Sequence, residues 1–289
     1  MIFADGWKDY LVLETGSGNK LEKWGSYTLL RPDPQVIWNN RIKGEKKADA
    51  IYRRSSSGGG HWDFFKELPE SWNIQYKDLK FSVRPTGFKH TGLFPEQAAN
   101  WDYIIRSIKE SNRKIKVFNL FAYTGGATVA AAYAGAEVCH VDAAKGMVAW
   151  AKENIKLSNL EDKPVRFIVD DVVKFVQREQ RRGNKYDCII MDPPSYGRGP
   201  KGEIWKLEKE LYPLVEECVK VLSDNPLFMI INSYTTGLAP SVLSNIIKIA
   251  VSGKFEIESI SADELGLPVK DGTCLPCGST ARCKFKGKK

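Results

Sequence analysis

Several features that would narrow the function quickly are missing from this sequence. No run is long and apolar enough to cross a bilayer, which takes about 20 residues. The first residues, Met1 to Tyr10, carry Asp5 and Asp9 and no apolar stretch, so they do not read as a signal peptide. Six cysteines in 289 residues are too few for a disulfide framework. Cys274, Cys277 and Cys283 have no suitable fourth ligand nearby for a tetrahedral zinc site. The three histidines, His61, His90 and His140, are scattered. No metal is expected, and a cytoplasmic, reduced protein is the expectation.

What is present suits a folded protein with an anionic partner. The hydrophobic fraction is 43% and the charged fraction 27%, enough for one large domain and a smaller one. The net charge of +8 favours a partner such as nucleic acid, although a lysine surplus can also serve solubility alone. Residues 1–92 hold Trp7, Trp24, Trp38, Trp62 and Trp72 among short apolar runs split by turns such as Gly16-Ser17-Gly18-Asn19. That pattern predicts a small, mostly antiparallel β domain. Ser55 to Gly60 reads as an exposed connecting loop.

From residue 93 onward, strand and helix patterns alternate. Strands are expected at 115–121, 137–141, 165–169, 186–191 and 227–231, and two more after Phe255. Helices are expected at 97–109, 128–134, 145–157, 172–181, 205–222 and 241–251. Strands such as Cys188-Ile189-Ile190-Met191 are apolar throughout, as in a sheet covered on both faces. The fold class is therefore α/β, a doubly wound, mostly parallel seven-stranded sheet behind the N-terminal β domain.

In such a sheet, ligands bind beyond the carboxyl ends of the strands. The first strand runs into Phe121-Ala122-Tyr123-Thr124-Gly125-Gly126, where glycines would let a ligand approach the backbone. A plain tight turn is the alternative. The second strand ends at Asp142, which could accept both hydroxyls of a ribose or cap the next helix. The third ends at Asp170-Asp171, with the same two possibilities for an adenine amine or a cap. The fourth ends in Met191-Asp192-Pro193-Pro194-Ser195-Tyr196. Its two prolines fix φ and carry no N–H, which would leave strand-end carbonyls to accept from a substrate. An acid, carbonyls and an aromatic ring suit a flat polar base. Beyond lie Arg198, Lys201, Trp205 and Lys206, a basic segment that could meet phosphates or stack on a base.

Residues 116–200 resemble the class I S-adenosylmethionine-dependent methyltransferases. The bacterial large-subunit ribosomal RNA methyltransferase group is the most similar, with its cytosine-5 and guanine-N7 enzymes. The resemblance rests on Phe118–Gly125, Val141-Asp142, Asp170-Asp171-Val172, Asp192–Tyr196 and His90–Gln97. It implies that S-adenosylmethionine is the cofactor. Gln97, Asn119, Phe121, Ala122, Tyr123, Thr124 and Gly125 would lie toward its methionine part, Asp142 and Ala143 at the ribose, and Asp171 and Val172 at the adenine. Asp192, Pro193 and Tyr196 would face the acceptor base, with Pro194, Arg198, Lys201, Lys206 and Tyr234 toward RNA. The N-terminal RNA-binding module of some relatives is not evident.

The cytosine-5 relative carries a cysteine after a serine past its fifth strand; here Ile231-Asn232-Ser233-Tyr234 has tyrosine. Transfer to a nitrogen is therefore expected, with Asn232 and Tyr234 orienting the acceptor. The alternatives are a methyltransferase for a protein or small molecule, and an RNA-binding protein that keeps the cofactor fold without activity. A nicotinamide dehydrogenase is disfavoured, since no full Gly-x-Gly-x-x-Gly stands after the first strand.

Overall fold

The N-terminal hairpin turns where its sequence dictates: Ser17 (φ +48°) and Gly18 (φ +76°) both adopt the left-handed backbone of a two-residue hairpin turn. A computed structural model describes residues 1–55, 59–87, 89–198 and 204–287. The expected loop at 55–60 lies partly outside them. The chain forms two units, residues 1–99 with 265–277 and residues 100–264 with 278–289.

The first unit begins with β1 (Ile2–Phe3), β2 (Tyr10–Gly16), β3 (Asn19–Trp24), β4 (Tyr27–Pro32), β5 (Ala50–Arg54) and β6 (Gly60–Phe64). β2 to β6 form one sheet in chain order. Its pairs are antiparallel except β4 with β5, which a long connection makes parallel. β7 (Trp72–Tyr76) and β8 (Leu79–Val83) form a separate hairpin. Leu21, Leu30, Ile42, Ala48 and Ile51 close a small core. Beside it, the fully buried Glu22 accepts from Tyr10 Oη at 2.6 Å and from Arg31 at 2.7 and 2.9 Å, with Lys20 Nζ at 3.5 Å. Segment 265–277 belongs here through Val12, which pairs with Val269 and accepts from the Lys270 N–H.

The second unit is the doubly wound sheet. After α1 (Ala98–Glu110), it alternates β9 (Lys116–Leu120), α2 (Gly126–Tyr133), β10 (Glu137–Asp142), α3 (Lys145–Leu157), β11 (Val165–Val169), α4 (Val172–Arg181) and β12 (Cys188–Met191). A short pair, β13 (Tyr196–Arg198) and β14 (Ile204–Lys206), precedes α5 (Leu207–Val219), β15 (Phe228–Ser233) and α6 (Pro240–Val251). The long strands β16 (Ile257–Pro268) and β17 (Cys274–Phe285) finish the chain. The sheet order is β1-β16-β17-β15-β12-β9-β10-β11. The five strands from β15 to β11 are parallel, and β17 runs against β15. The expected architecture stands.

The central strands are apolar throughout because helices cover both faces. Phe118, Leu120, Ile189, Met191, Met229 and Ile231 are buried against Phe175, Leu214, Val215 and Ile247. One expectation fails locally. Trp205 does not open the long helix but sits in β14, antiparallel to β13, and the helix starts at Leu207. Among the described residues, no helix is long and apolar enough to cross a membrane.

Candidate active site

Strand order makes the site. β9 lies between β10 and β12, so the chain leaves β9 on one side and returns on the other. This is a topological switch point, where an open α/β sheet leaves a crevice. Register then sets the acids. Leu120 is level with Val141 and with Met191, so Phe121 is flanked by Asp142 on one side and Asp192 on the other. Two strand spacings put these acids about 10 Å apart along the strand ends.

The loop after β9 is held in an unusual shape. Phe121 (φ +53°) and Tyr123 (φ +50°) are left-handed without being glycine, and Gly125 is left-handed at +83°. Such residues persist only where their surroundings fix them. Asp142 does much of this: its Oδ2 accepts from the Tyr123 N–H at 2.8 Å and its Oδ1 from the Ala144 N–H at 2.8 Å. Asn154 donates to the Thr124 carbonyl at 2.8 Å from inside α3. The glycines serve packing as much as ligand approach. A Cβ on Gly125 would meet Ala151 Cβ at 2.9 Å, and one on Gly126 would meet the Trp101 ring at 2.7 Å.

Beneath the loop runs a buried polar chain. Asn119 donates to Thr128 Oγ1 at 2.9 Å, and Thr128 bonds His140 Nδ1 at 2.9 Å. Burial pushes His140 down to about 3, so the ring is neutral at physiological pH. Asn119 is only 3% exposed, so its place is under the loop rather than at a ligand. Thr124 and Ala122 are buried, and Val172 packs into the core. Ala143 is exposed beside Asp142. Asp171 is the N-cap of α4, accepting from the Lys174 N–H at 2.9 Å. Asp170 accepts from the Asp171 N–H and pairs with Arg178. Gln97 lies in the first unit, in a 3₁₀ turn at Pro95–Gln97 rather than in the helix.

On the other side, Asp192 is half-buried, Pro193 buried and Pro194 exposed. Two carbonyls of the turn beyond the strand end are already taken. The Pro194 carbonyl accepts from the Trp205 indole N–H at 2.6 Å, and the Ser195 carbonyl from the Leu207 N–H at 3.1 Å. The Trp205 ring, half-buried, also meets Phe121 in a tilted contact at 5.4 Å. Tyr196 is 50% exposed and lies opposite Lys206 in the β13–β14 pair. Arg198 ends β13, and Lys201 lies outside the described residues. Past β15, the Thr235 hydroxyl donates to Ser195 Oγ at 2.7 Å, tying the fifth strand end to the fourth. Tyr234 is half-buried, and its ring packs so closely over Gly278 that a Cβ there would lie 2.9 Å from it. Asn232 turns inward: it is 2% exposed and accepts from Asn100 Nδ2 at 2.9 Å, so it braces the strand rather than meeting an acceptor.

Sequence reasoning missed Asn154, Thr128, His140 and Thr235. The first three carried a signal: a polar residue inside an apolar strand or on the buried stripe of a helix.

Residues 48–237 match the profile of S-adenosylmethionine-dependent methyltransferases. The chain belongs to this family. A crystal structure of the S-adenosylmethionine-dependent methyltransferase from Agrobacterium tumefaciens is similar at a TM-score of 0.92 and 35% identity, covering 99% of this chain and 93% of that one. The ribosomal RNA large subunit methyltransferase K/L of Pseudoalteromonas atlantica is 26% identical over 244 residues, 84% of this chain and 29% of that protein. The protein of the same name from Shewanella oneidensis is 33% identical over 148 residues, 50% of this chain and 20% of its own length. The chain thus spans under a third of these curated relatives.

The family's cofactor fits what the crevice offers. Among the described residues, no cation pairs with the half-buried Asp142 carboxylate; its bonded partners are two backbone N–H groups. Burial pushes its pKa up, opposed by those two hydrogen bonds. A carboxylate carries about four acceptor positions, so two remain for the hydroxyls of a ribose. In this methyltransferase five of the six thiols are poor nucleophiles. Burial pushes Cys139 up to about 11 and Cys283 up to about 12, and raises Cys188, Cys218 and Cys277 as well.

Proposed function

We propose that this methyltransferase acts on a nucleobase of RNA, with ribosomal RNA as the acceptor and a nitrogen as the methylated atom, through the domain from residue 93 to 289. The observation that carries the reading is the pairing of two strand-end acids across Phe121: Asp142, bound by the backbone on the cofactor side, and Asp192, followed by two prolines and a half-exposed tyrosine on the acceptor side. The relatives named for ribosomal RNA and the net charge of +8 support an RNA acceptor.

S-adenosylmethionine supplies a methyl group already activated on a sulfonium. The chain's work is therefore alignment, which can account for roughly 7–11 kcal/mol of barrier lowering. Asp142 would hold the ribose, the 121–125 loop the methionine part, and Asp171 the adenine edge with the carboxylate oxygen not used in capping. Tyr196 and Tyr234 would bound the flat acceptor. Asp192 would orient the acceptor nitrogen and receive its proton as the nitrogen–methyl bond forms. Lys206, Arg198 and Lys201 would meet phosphates. A nitrogen lone pair needs no protein nucleophile, which agrees with five thiols held protonated by burial.

The test is labelled methyl transfer to ribosomal RNA from cells lacking this protein, followed by mass spectrometry of the nucleosides. A single N-methylated nucleoside is expected. Labelling of protein instead, or 5-methylcytosine with activity lost on changing one cysteine, refutes the reading.

A further inference from the structure

Trp205 stands between the two loops of the site and holds both. Its indole N–H donates to the Pro194 carbonyl at 2.6 Å, and its ring lies on Phe121 with centroids 5.4 Å apart at 52°. Pro194 belongs to the acceptor-side turn, and Phe121 opens the cofactor-side loop in a left-handed conformation. The surrounding backbone fixes the indole in place. Gly197 pairs with Trp205 and Tyr196 with Lys206, and the Leu207 N–H closes on the Ser195 carbonyl. Pro193 and Pro194 have no N–H of their own, so neither can hold this turn by donating. Donors brought to its carbonyls help to hold it.

We propose that Trp205 is a positioning residue that fixes the acceptor-side turn against the cofactor-side loop, so that occupancy of the cofactor side orders the acceptor side. The inference rests on the cofactor reading above. A ligand held by residues 121–125 restricts Phe121, whose ring supports the indole. The indole N–H then sets Pro194, and with it Asp192 and Tyr196 on either side. The two contacts can be separated: Trp205→Phe keeps a ring on Phe121 and loses the N–H, whereas Trp205→Leu loses both.

Hydrogen exchange of the full chain, read by mass spectrometry with and without S-adenosylhomocysteine, tests this. In the wild type the ligand should slow exchange in segments 192–198 and 204–210. In Trp205→Phe the ligand should bind nearly as tightly, the slowing in 192–198 should vanish, and kcat should fall about tenfold at unchanged cofactor KM, the scale of one hydrogen bond. Trp205→Leu should weaken ligand binding as well. A purely structural tryptophan would lower the melting temperature without removing the ligand-dependent slowing. Wild type that binds the ligand yet shows no slowing in 192–198 overturns the proposal, as does a Trp205→Phe variant that keeps it. Wild type that fails to bind the ligand in calorimetry overturns the cofactor reading itself, and the proposal with it.

Discussion

Replacing Asp142 by asparagine changes almost no volume and should still cripple cofactor binding. The carboxylate accepts from the Tyr123 and Ala144 N–H groups, both at 2.8 Å and through different oxygens. An amide has one oxygen, so one of these N–H groups must face an NH2. One donor is part-buried and the other exposed, so leaving one unpaired costs at most about 1 kcal/mol, the low end for an unmet donor. The half-buried loop 121–125 should relax by a comparable amount and lower the melting temperature. Ribose hydroxyls would lose a charged acceptor, and hydrogen bonds to charged groups are worth about 1.5–3 kcal/mol. S-adenosylhomocysteine should therefore bind roughly 10- to 150-fold more weakly by calorimetry. The pH dependence has a definite sign. Burial raises the Asp142 pKa, so the carboxylate protonates at higher pH than an ordinary aspartate. Affinity should fall as pH drops through that raised value, and the asparagine variant should not show the fall. The apo protein responds oppositely at this group: the stability linked to its raised pKa is present below the unfolded value and lost as pH rises through the folded one. Binding of S-adenosylhomocysteine to Asp142→Asn within twofold of wild type, or tighter binding of a nicotinamide dinucleotide to the wild type, would refute the reasoning.

Three further outcomes are expected. Asp192→Ala should abolish methyl transfer and keep most of the cofactor affinity, because Asp192 flanks Phe121 on the side away from Asp142; unchanged turnover removes it from the mechanism. Neutralising Arg198, Lys201 and Lys206 together should flatten the salt dependence of RNA binding by up to about three phosphate contacts, and a slope identical to wild type excludes them. Burial would raise Glu22, but the adjacent Arg31 and Lys20 outweigh it and hold the carboxyl at about 2; its stability contribution is present above its unfolded value of 4.5 and lost as pH falls toward 2. Glu22→Gln leaves Arg31 with an uncompensated buried charge and should cost about 3–5 kcal/mol, which denaturant titration would contradict if the midpoint stayed put.

The main chain was readable because burial on two faces leaves a plain pattern. Cys188–Met191 and Phe228–Ser233 are strands whose residues are all buried, and Asp192 marks the carboxyl end of the first. What was not readable depends on pairing at a distance. Trp205 precedes the stripe Leu207, Leu211, Leu214, Val215 and Cys218, so helical spacing alone extends the helix over it. Only the partner strand Tyr196–Arg198, across a Gly/Pro segment, reveals a β pair. The same holds for Asn119 and Asn232. A polar residue at a strand end suggests a ligand, and whether it turns inward depends on a partner in another element: Thr128 in the next helix for Asn119, and Asn100, 132 residues away, for Asn232.

The strand-end acids also show how one residue type acquires separate roles through its neighbours in the chain. After Asp142 come Ala143 and Ala144, and the Ala144 N–H folds back onto the carboxylate. After Asp170 comes the Asp171 N–H, which does the same, and Asp171 caps its helix through the Lys174 N–H. Each of these acids is partly committed to its own turn. Asp192 precedes Pro193 and Pro194, neither of which has an N–H to offer. Its carboxylate cannot be engaged by the backbone of the next two residues, as that of Asp142 is. The turn takes its rigidity from the proline rings, Trp205 and the Ser195–Thr235 hydroxyl pair instead. In a parallel sheet this is a simple route to a strand-end turn that is fixed without N–H donors from the two residues after its acid. The Asp-Pro-Pro-Ser sequence is therefore a stronger pointer to chemistry than the glycines at 125 and 126, whose shape the packing of Ala151 and Trp101 already demands.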